Sequence, residues 1–195
     1  MPTMPGALIL AAGFSRRFGS NKLVAELPNK RPLILETISN IQQATTNVSV
    51  VVQEGDSETK NLLINTDINI ISFDNANHGI GASLAYGVQQ TADWAGWLVC
   101  LADMPHIKPC TYRALLNNIS RSNIVLPTYN NRIGNPVGFG SSFYDALIQL
   151  SGDTGGKGIV QKNPRAITQC AVDDSAIFFD IDSKEDIQAH HSVSS

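Results

Sequence analysis

The chain is poor in the features that would tie it to a membrane, a nucleic acid or an oxidising compartment. Its three cysteines, Cys100, Cys110 and Cys170, are an odd number without Cys-x-x-Cys spacing. That speaks against a disulfide framework or a thiolate metal site and fits a reducing cytoplasm. No apolar run reaches the roughly 18 residues of a membrane span, and the amino terminus lacks a charged-then-apolar secretory layout. Basic runs are missing too: 14 Lys and Arg face 17 Asp and Glu, a formal net charge of -3. No field suited to nucleic acid or an anionic lipid surface follows from that balance. Among the histidines, His190 and His191 lie near the tail and His78 and His106 show no paired spacing, so no zinc site is suggested. Internal repeats, low-complexity segments and linkers are lacking as well.

What is present is enough apolar material for one substantial core, 43% of 195 residues, which predicts a single domain over 1–191 with a disordered tail at 192–195. Strand-like runs occur at Ala7 to Leu10, Val48 to Val52, Ile68 to Ile71, Trp97 to Leu101 and Ile124 to Leu126. Helical spacing lies between them. Pro32 can open the first helix, with Leu33, Ile34, Ile38 and Ile41 on one stripe, and Ala82 to Gln90, Cys110 to Ile119 and Ser142 to Leu150 follow. Such β-α alternation predicts an α/β fold, a mostly parallel sheet between helical layers. Ligands bind such sheets beyond the carboxyl ends of the strands, where Gly13 to Lys22, Asn77 to Ser83 and Asp103 to Pro105 converge.

The first of these loops is the most informative. An apolar strand opens abruptly into Leu10-Ala11-Ala12-Gly13-Phe14-Ser15-Arg16-Arg17-Phe18-Gly19-Ser20-Asn21-Lys22, where small residues let a nucleotide approach the main chain and Arg16, Arg17 and Lys22 supply charge for a triphosphate. It is neither a P-loop nor a Gly-x-Gly-x-x-Gly dinucleotide loop. Ser151 to Gly158 misses the P-loop pattern at both ends, and in Gly79-Ile80-Gly81-Ala82-Ser83-Leu84 the last position is Leu.

Two acidic positions stand out. Asp103 ends the apolar strand Trp97 to Ala102, where a carboxylate needs a partner or a cation. Its structural alternative is to cap the helix near Pro109 or tie the turn at Pro105. Asp180 and Asp182 flank Ile181, and strand alternation places both on one face. Asp182 has the alternative of capping a helix that starts at Ser183-Lys184-Glu185-Asp186. Two carboxylates with phosphate oxygens and waters suit a hard octahedral ion, magnesium or else manganese.

The pattern Leu-Ala-Ala-Gly-x-Ser-x-Arg-x-Gly-x-x-Lys, filled by Leu10 to Lys22, resembles the signature of MobA-like nucleotidyltransferases, most closely the molybdenum cofactor cytidylyltransferase branch. Matching segments follow in order: residues 79–84, Leu101-Ala102-Asp103-Met104-Pro105, Gly134-Asn135-Pro136-Val137, Gly152-Asp153-Thr154-Gly155-Gly156-Lys157 and Asp180-Ile181-Asp182. The resemblance implies a Rossmann-like three-layer domain that transfers a nucleotide to a phosphorylated acceptor and releases pyrophosphate. Lys22 and Arg17 would meet the β and γ phosphates, with Asp103 as the third catalytic residue. Asp103 and Asp182 would hold the metal, with Asp180 second to Asp182. Leu10, Ala11, Ala12, Gly13, Gly79 and Ser83 would hold the nucleotide. Asn135, Pro136, Asp153 and Lys157 would form the acceptor side. Ala12 fits the CTP-using branch, where guanylyl enzymes commonly carry Gly, whereas Asn135 departs from the His common in relatives.

Each glycine-rich segment also reads as a turn, Ser83 as a helix cap and Arg16 as a solvent-facing side chain. Two functional alternatives accompany the leading one. One is the same chemistry with another nucleotide and phosphorylated acceptor. The other is a non-catalytic nucleotide-binding accessory protein serving a molybdoenzyme or its maturation chaperone.

Overall fold

The computed structural model describes residues 4–12, 18, 21–74 and 79–189. Eight strands form one sheet in the order β3-β2-β1-β4-β7-β5, with β6 and β8 both paired to β5. The strands are β1 (Gly6–Ala11), β2 (Val48–Gln53), β3 (Asn69–Phe73), β4 (Gly96–Leu101), β5 (Ile124–Tyr129), β6 (Arg132–Ile133), β7 (Val137–Gly140) and β8 (Ile167–Ala171). Pairings β1 with β2, β1 with β4, β2 with β3 and β5 with β8 are parallel, while β7 and β6 run against their neighbours. The sheet is therefore mostly parallel, as the β-α alternation predicts.

Helices α1 (Leu33–Gln42), α2 (Ser57–Leu63), α3 (Gly79–Gln90), α4 (Pro109–Asn118), α5 (Tyr144–Leu147), α6 (Lys157–Lys162) and α7 (Lys184–Ala189) cover it. The pleat of β1 sorts the core into two layers. Ala7, Ile9 and Ala11 pack with Leu33, Ile34, Ile38 and Ile41 of α1 and Tyr112 and Leu115 of α4. Leu8, Leu10 and Ala12 pack with Leu84 and Val88 of α3, Leu147 of α5 and Ile159 of α6. Alternate residues of a strand buried on both faces are the mark of a sheet between two helical layers.

The antiparallel strand β7 matters most for the site. Val99 of β4 faces Val137 and Gly96 faces Gly140, so the start of β7 lies at the carboxyl end of β4. A loop that precedes an antiparallel strand thus opens at the same end of the sheet as loops that follow the parallel ones. In this way residues 134–136 reach the crevice.

Several sequence expectations are corrected. The strand expected across Phe178 to Asp182 is a 3-10 turn, Ser175–Phe178, followed by irregular chain. Ser142 to Leu150 shortens to a 3-10 turn, Ser141–Phe143, and the single turn α5. Helix α3 begins at Gly79 rather than Ala82, because Gly79 adopts a positive φ of 85° and Gly81 fits against a neighbouring loop where a side chain would collide.

Candidate active site

At the carboxyl end of β4, Asp103 meets Lys22. The Lys22 Nζ lies 2.7 Å from Asp103 Oδ2 and 3.2 Å from Asp182 Oδ1, and it donates to the Ile181 carbonyl at 2.9 Å. Asp103, Asp180 and Asp182 each offer an oxygen within 4.8 Å of the others. The second oxygen of Asp103, Oδ1, is buried and accepts no hydrogen bond among the described residues. An orphaned carboxylate oxygen costs free energy unless a cation or donor meets it. Three hard oxygen donors around it suit a magnesium or manganese ion, so the residues fit the group implied by the sequence.

Charge and burial compete here. Burial alone lowers the Lys22 pKa, but Asp103 and then Asp182 outweigh it and hold the ammonium above its usual value. Burial pushes the Asp103 carboxyl up, Lys22 opposes this, and Asp180 adds to the rise. A further cation at the cluster would relieve the mutual repulsion of the carboxylates.

The backbone around the cluster is tied from several sides. Thr37 Oγ1 on α1 donates to the Ala102 carbonyl at 2.9 Å, Asn40 Nδ2 donates to the Pro105 carbonyl at 2.9 Å, and Ile181 N donates to the Asp103 carbonyl at 2.9 Å. The last bond brings the 180–182 segment beside β4, although the two are far apart in sequence.

Capping duties fall to other residues. Asp174 accepts from Lys108 N at 2.8 Å and Thr111 Oγ1 at 2.7 Å at the start of α4. The cap considered for Asp103 is therefore supplied by Asp174. Ser183 Oγ accepts from Asp186 N, while Asp186 Oδ2 accepts from Ser183 N and Asp182 N. This reciprocal capping box makes Ser183 the cap of α7 and leaves the Asp182 carboxylate to Lys22.

A cavity of about 590 Å³ opens beside the ends of β1 and β4. Leu10, Leu101, Phe139 and Ile80 give it apolar walls, and Asn135, Asp153 and Lys157 bring polar groups to it. Pro136, between Asn135 and Val137, is buried. Two motifs expected on opposite sides of the site turn out to touch. Gly81 N donates to the Gly152 carbonyl at 2.8 Å. A Cβ on Gly79 would collide with Asp153 Oδ1, and one on Gly81 would come within 2.8 Å of the Ser151 carbonyl oxygen.

The structure thus brings Lys22, Asp103 and Asp182 together, with Asp180, and gathers Leu10, Asn135, Asp153 and Lys157 around one cavity. Ala11 and Ala12 are buried on opposite faces of β1's end. Ser83 is buried inside α3, beyond its first turn, and so is no cap. Gly13, Arg16 and Arg17 lie outside the described residues, as do Asn77, His78, His190, His191 and the tail 192–195. The sequence reading missed Thr37, Asp174 and Asn21, whose partners lie far along the chain. Asn21 caps the 3-10 turn Lys22–Val24 through Leu23 N.

No curated protein sequence matches the chain. Among solved structures, a nucleotidyl transferase from Methanothermobacter thermautotroptrophicus superimposes with a TM-score of 0.84 at 21% identity, over 96% of each chain. Rv0371C from Mycobacterium tuberculosis H37Rv, solved as a manganese complex, gives 0.80 at 20% identity, over 96% of this chain and 97% of the other. Molybdopterin-guanine dinucleotide biosynthesis protein A from Archaeoglobus fulgidus gives 0.64 at 18% identity, over 95% and 96%. These likenesses establish a shared fold. The family model described as a MobA-like NTP transferase domain matches residues 7–167, from the first strand to the start of β8. The chain belongs to that family and is a nucleotidyltransferase.

Proposed function

We propose that the enzyme transfers CMP from CTP to molybdenum-loaded molybdopterin, releasing pyrophosphate, with magnesium or manganese held by Asp103 and Asp182. The observation that carries this reading is the Lys22, Asp103 and Asp182 cluster at the end of β4, beside a cavity that presents Asn135, Asp153 and Lys157. In-line attack of an acceptor phosphate oxygen on the α-phosphorus needs alignment and charge neutralisation rather than a covalent intermediate. The metal supplies electrophilic stabilisation of the phosphoryl oxygens.

The chain's own residues do the rest. Lys22, with Arg17, neutralises the β and γ phosphates as the leaving group gains charge. The small residues 11–13 allow the base and ribose close to the main chain, with Gly79 and Ser83 closing the base side. Asn135 and Lys157 donate to the acceptor's anionic group, Asp153 accepts from its donors, and Pro136 fixes the segment that carries Asn135.

Ala12 supports CTP as the donor. The manganese in the M. tuberculosis neighbour supports a divalent ion. The molybdopterin in the Archaeoglobus neighbour's name supports a pterin acceptor, while its guanine makes GTP the first competitor. All three cysteines are free thiols, which suits the cytoplasmic setting proposed here. A molybdoenzyme or its maturation chaperone would receive the product.

The test is pyrophosphate release from CTP, GTP, ATP and UTP with magnesium, with and without molybdenum-loaded pterin, and with Asp103→Ala as control. CTP-selective, pterin-dependent turnover lost in the variant is the expected result. Turnover with another nucleotide or acceptor overturns the substrate assignment, and nucleotide binding without any turnover favours the accessory-protein reading.

A further inference from the structure

Lys22 enters the acidic cluster from the 3-10 turn Lys22–Val24, and the residue before it is held by an unusually complete set of contacts. The Asn21 Nδ2 donates to Asp56 Oδ1 at 2.9 Å, to Asp56 Oδ2 at 3.0 Å and to Thr59 Oγ1 at 3.0 Å. Its Oδ1 accepts from Leu23 N at 3.2 Å. Asp56 is anchored in turn, because Oδ1 also accepts from Thr59 N at 3.0 Å and caps α2. Thr59 is fully buried and Leu23 packs in the core with α1.

We propose that the Asn21–Asp56 pair is a clasp that positions Lys22 for phosphate contact, fastening the carboxyl end of the first-motif loop to α2. Asn21 touches no reacting group and acts through its neighbour. The role of Lys22 rests on the function proposed above, whereas its placement by the clasp does not.

The physical argument is one of freedom removed. A lysine side chain has four rotatable bonds, and its tip can hold one geometry only if its backbone is fixed. Leu23 fixes the turn from the carboxyl side by burial. On the amino side Phe18 is buried in the same core, and Asn21 fixes the position next to Lys22 through partners at the start of α2, an element that contributes nothing to the acidic cluster. The pair is also directional: the carboxylate of Asp56 only accepts and the amide of Asn21 donates. Asn21→Asp would set two carboxylates against each other, while Asn21→Asp combined with Asp56→Asn restores a donor and an acceptor with their sides exchanged.

The experiment reads Lys22 directly, without a substrate. The purified full chain, with its melting temperature measured for each variant, is treated with sulfosuccinimidyl acetate well below that temperature. Acetylation of Lys22 is followed by peptide mass spectrometry against the exposed Lys30 as internal reference. Lys22 is expected to react slowly in the wild type, about 10-fold faster in Asn21→Asp as local opening is eased, and slowly again in the double variant. Asn21→Ala, which adds no charge, should also speed the reaction and serves if Asn21→Asp does not fold. Unchanged Lys22 acetylation in the folded single variants overturns the clasp, as does a double variant that stays as reactive as Asn21→Asp.

Turnover under the assay above supplies the functional arm. Asn21→Asp is expected to lower kcat by about 100-fold with little change in KM, a loss of the size that small misplacements of a catalytic group produce, and the double variant to recover it. A single variant that melts lower yet keeps kcat shows a structural role alone and overturns the proposal. Lys22→Met separates the two ideas: if it keeps full turnover, the proposed function of Lys22 fails while the acetylation pattern still decides the clasp.

Discussion

Asp174→Ala should be among the most destabilising single changes in this chain. The side chain is buried, with 3% of its surface exposed, and it satisfies three donors at once: Lys108 N, Thr111 Oγ1 and Ala176 N at 2.8, 2.7 and 3.2 Å. Two of them start α4 and the third starts the turn Ser175–Phe178 that leads to Asp180. Truncation leaves the buried Thr111 hydroxyl and the two amides to find water or go unpaired. At about 1–3 kcal/mol for each buried donor left unmet, and less for Lys108 N, which is nearest solvent, the sum is about 3–5 kcal/mol.

With a urea m-value of about 3 kcal/mol/M, that corresponds to a fall of roughly 1–1.7 M in the unfolding midpoint. Equilibrium unfolding followed by tryptophan fluorescence reports it. Asp174→Asn keeps the shape and an acceptor oxygen, so its fall should be less than half as large. A midpoint shift under about 0.3 M for Asp174→Ala would falsify the assignment of this carboxylate as the tie between α4 and the 175–182 segment.

Three other perturbations test other joints of the site. Thr37→Val keeps the shape of a fully buried side chain but removes the donor to the Ala102 carbonyl, and should cost about 1–2 kcal/mol in the same assay. Gly81→Ala brings a Cβ within 2.8 Å of the Ser151 oxygen and 2.9 Å of the Gly152 oxygen; the acceptor KM should rise about 10-fold as the loop is pushed aside, and an unchanged KM would show that this contact is dispensable. Native thiol titration with a bulky disulfide reagent should modify the exposed Cys110 at once, while Cys100 and Cys170 react only on unfolding, since both are buried and burial pushes their thiols up. Rapid modification of all three would contradict the packing of β4 and β8.

The parts of the fold legible in the sequence are those where periodicity is strong. The five strands read from apolar runs are present, each starting within one residue of the expected position and ending up to three residues later. The α1 stripe is buried as read. Strands β7 and β8 escaped because Val137-Gly138-Phe139-Gly140 is half glycine and Ile167–Ala171 lies at a sheet edge with little alternation in burial. Both owe their pairing to partners elsewhere in the chain, which local pattern does not encode.

The acidic cluster was legible because three carboxylates sit at strand ends or near a helix start. The reason given for Asp180 and Asp182 sharing a side was a strand that is absent; what gathers them is irregular chain stitched to the Asp103 carbonyl by Ile181 N. Capping, the alternative weighed for Asp103 and Asp182, goes elsewhere: Asp174 caps across more than sixty residues of sequence, and Ser183 caps α7 through reciprocal bonding with Asp186. Asn21 was overlooked because only its bond from Leu23 N is local, while Asp56 and Thr59 lie at the start of α2.

The seam between Gly81 and Gly152 has a consequence for how such an enzyme can change its substrates. The contact is main chain to main chain, so no side chain supplies either the donor or the acceptor of its hydrogen bond. Under the proposed acceptor assignment, Asn135 and Lys157 could then be exchanged without removing the main-chain bond that joins the two segments. Selectivity is free to drift while alignment is inherited, and the two glycines are the part of the design that such drift has to leave alone.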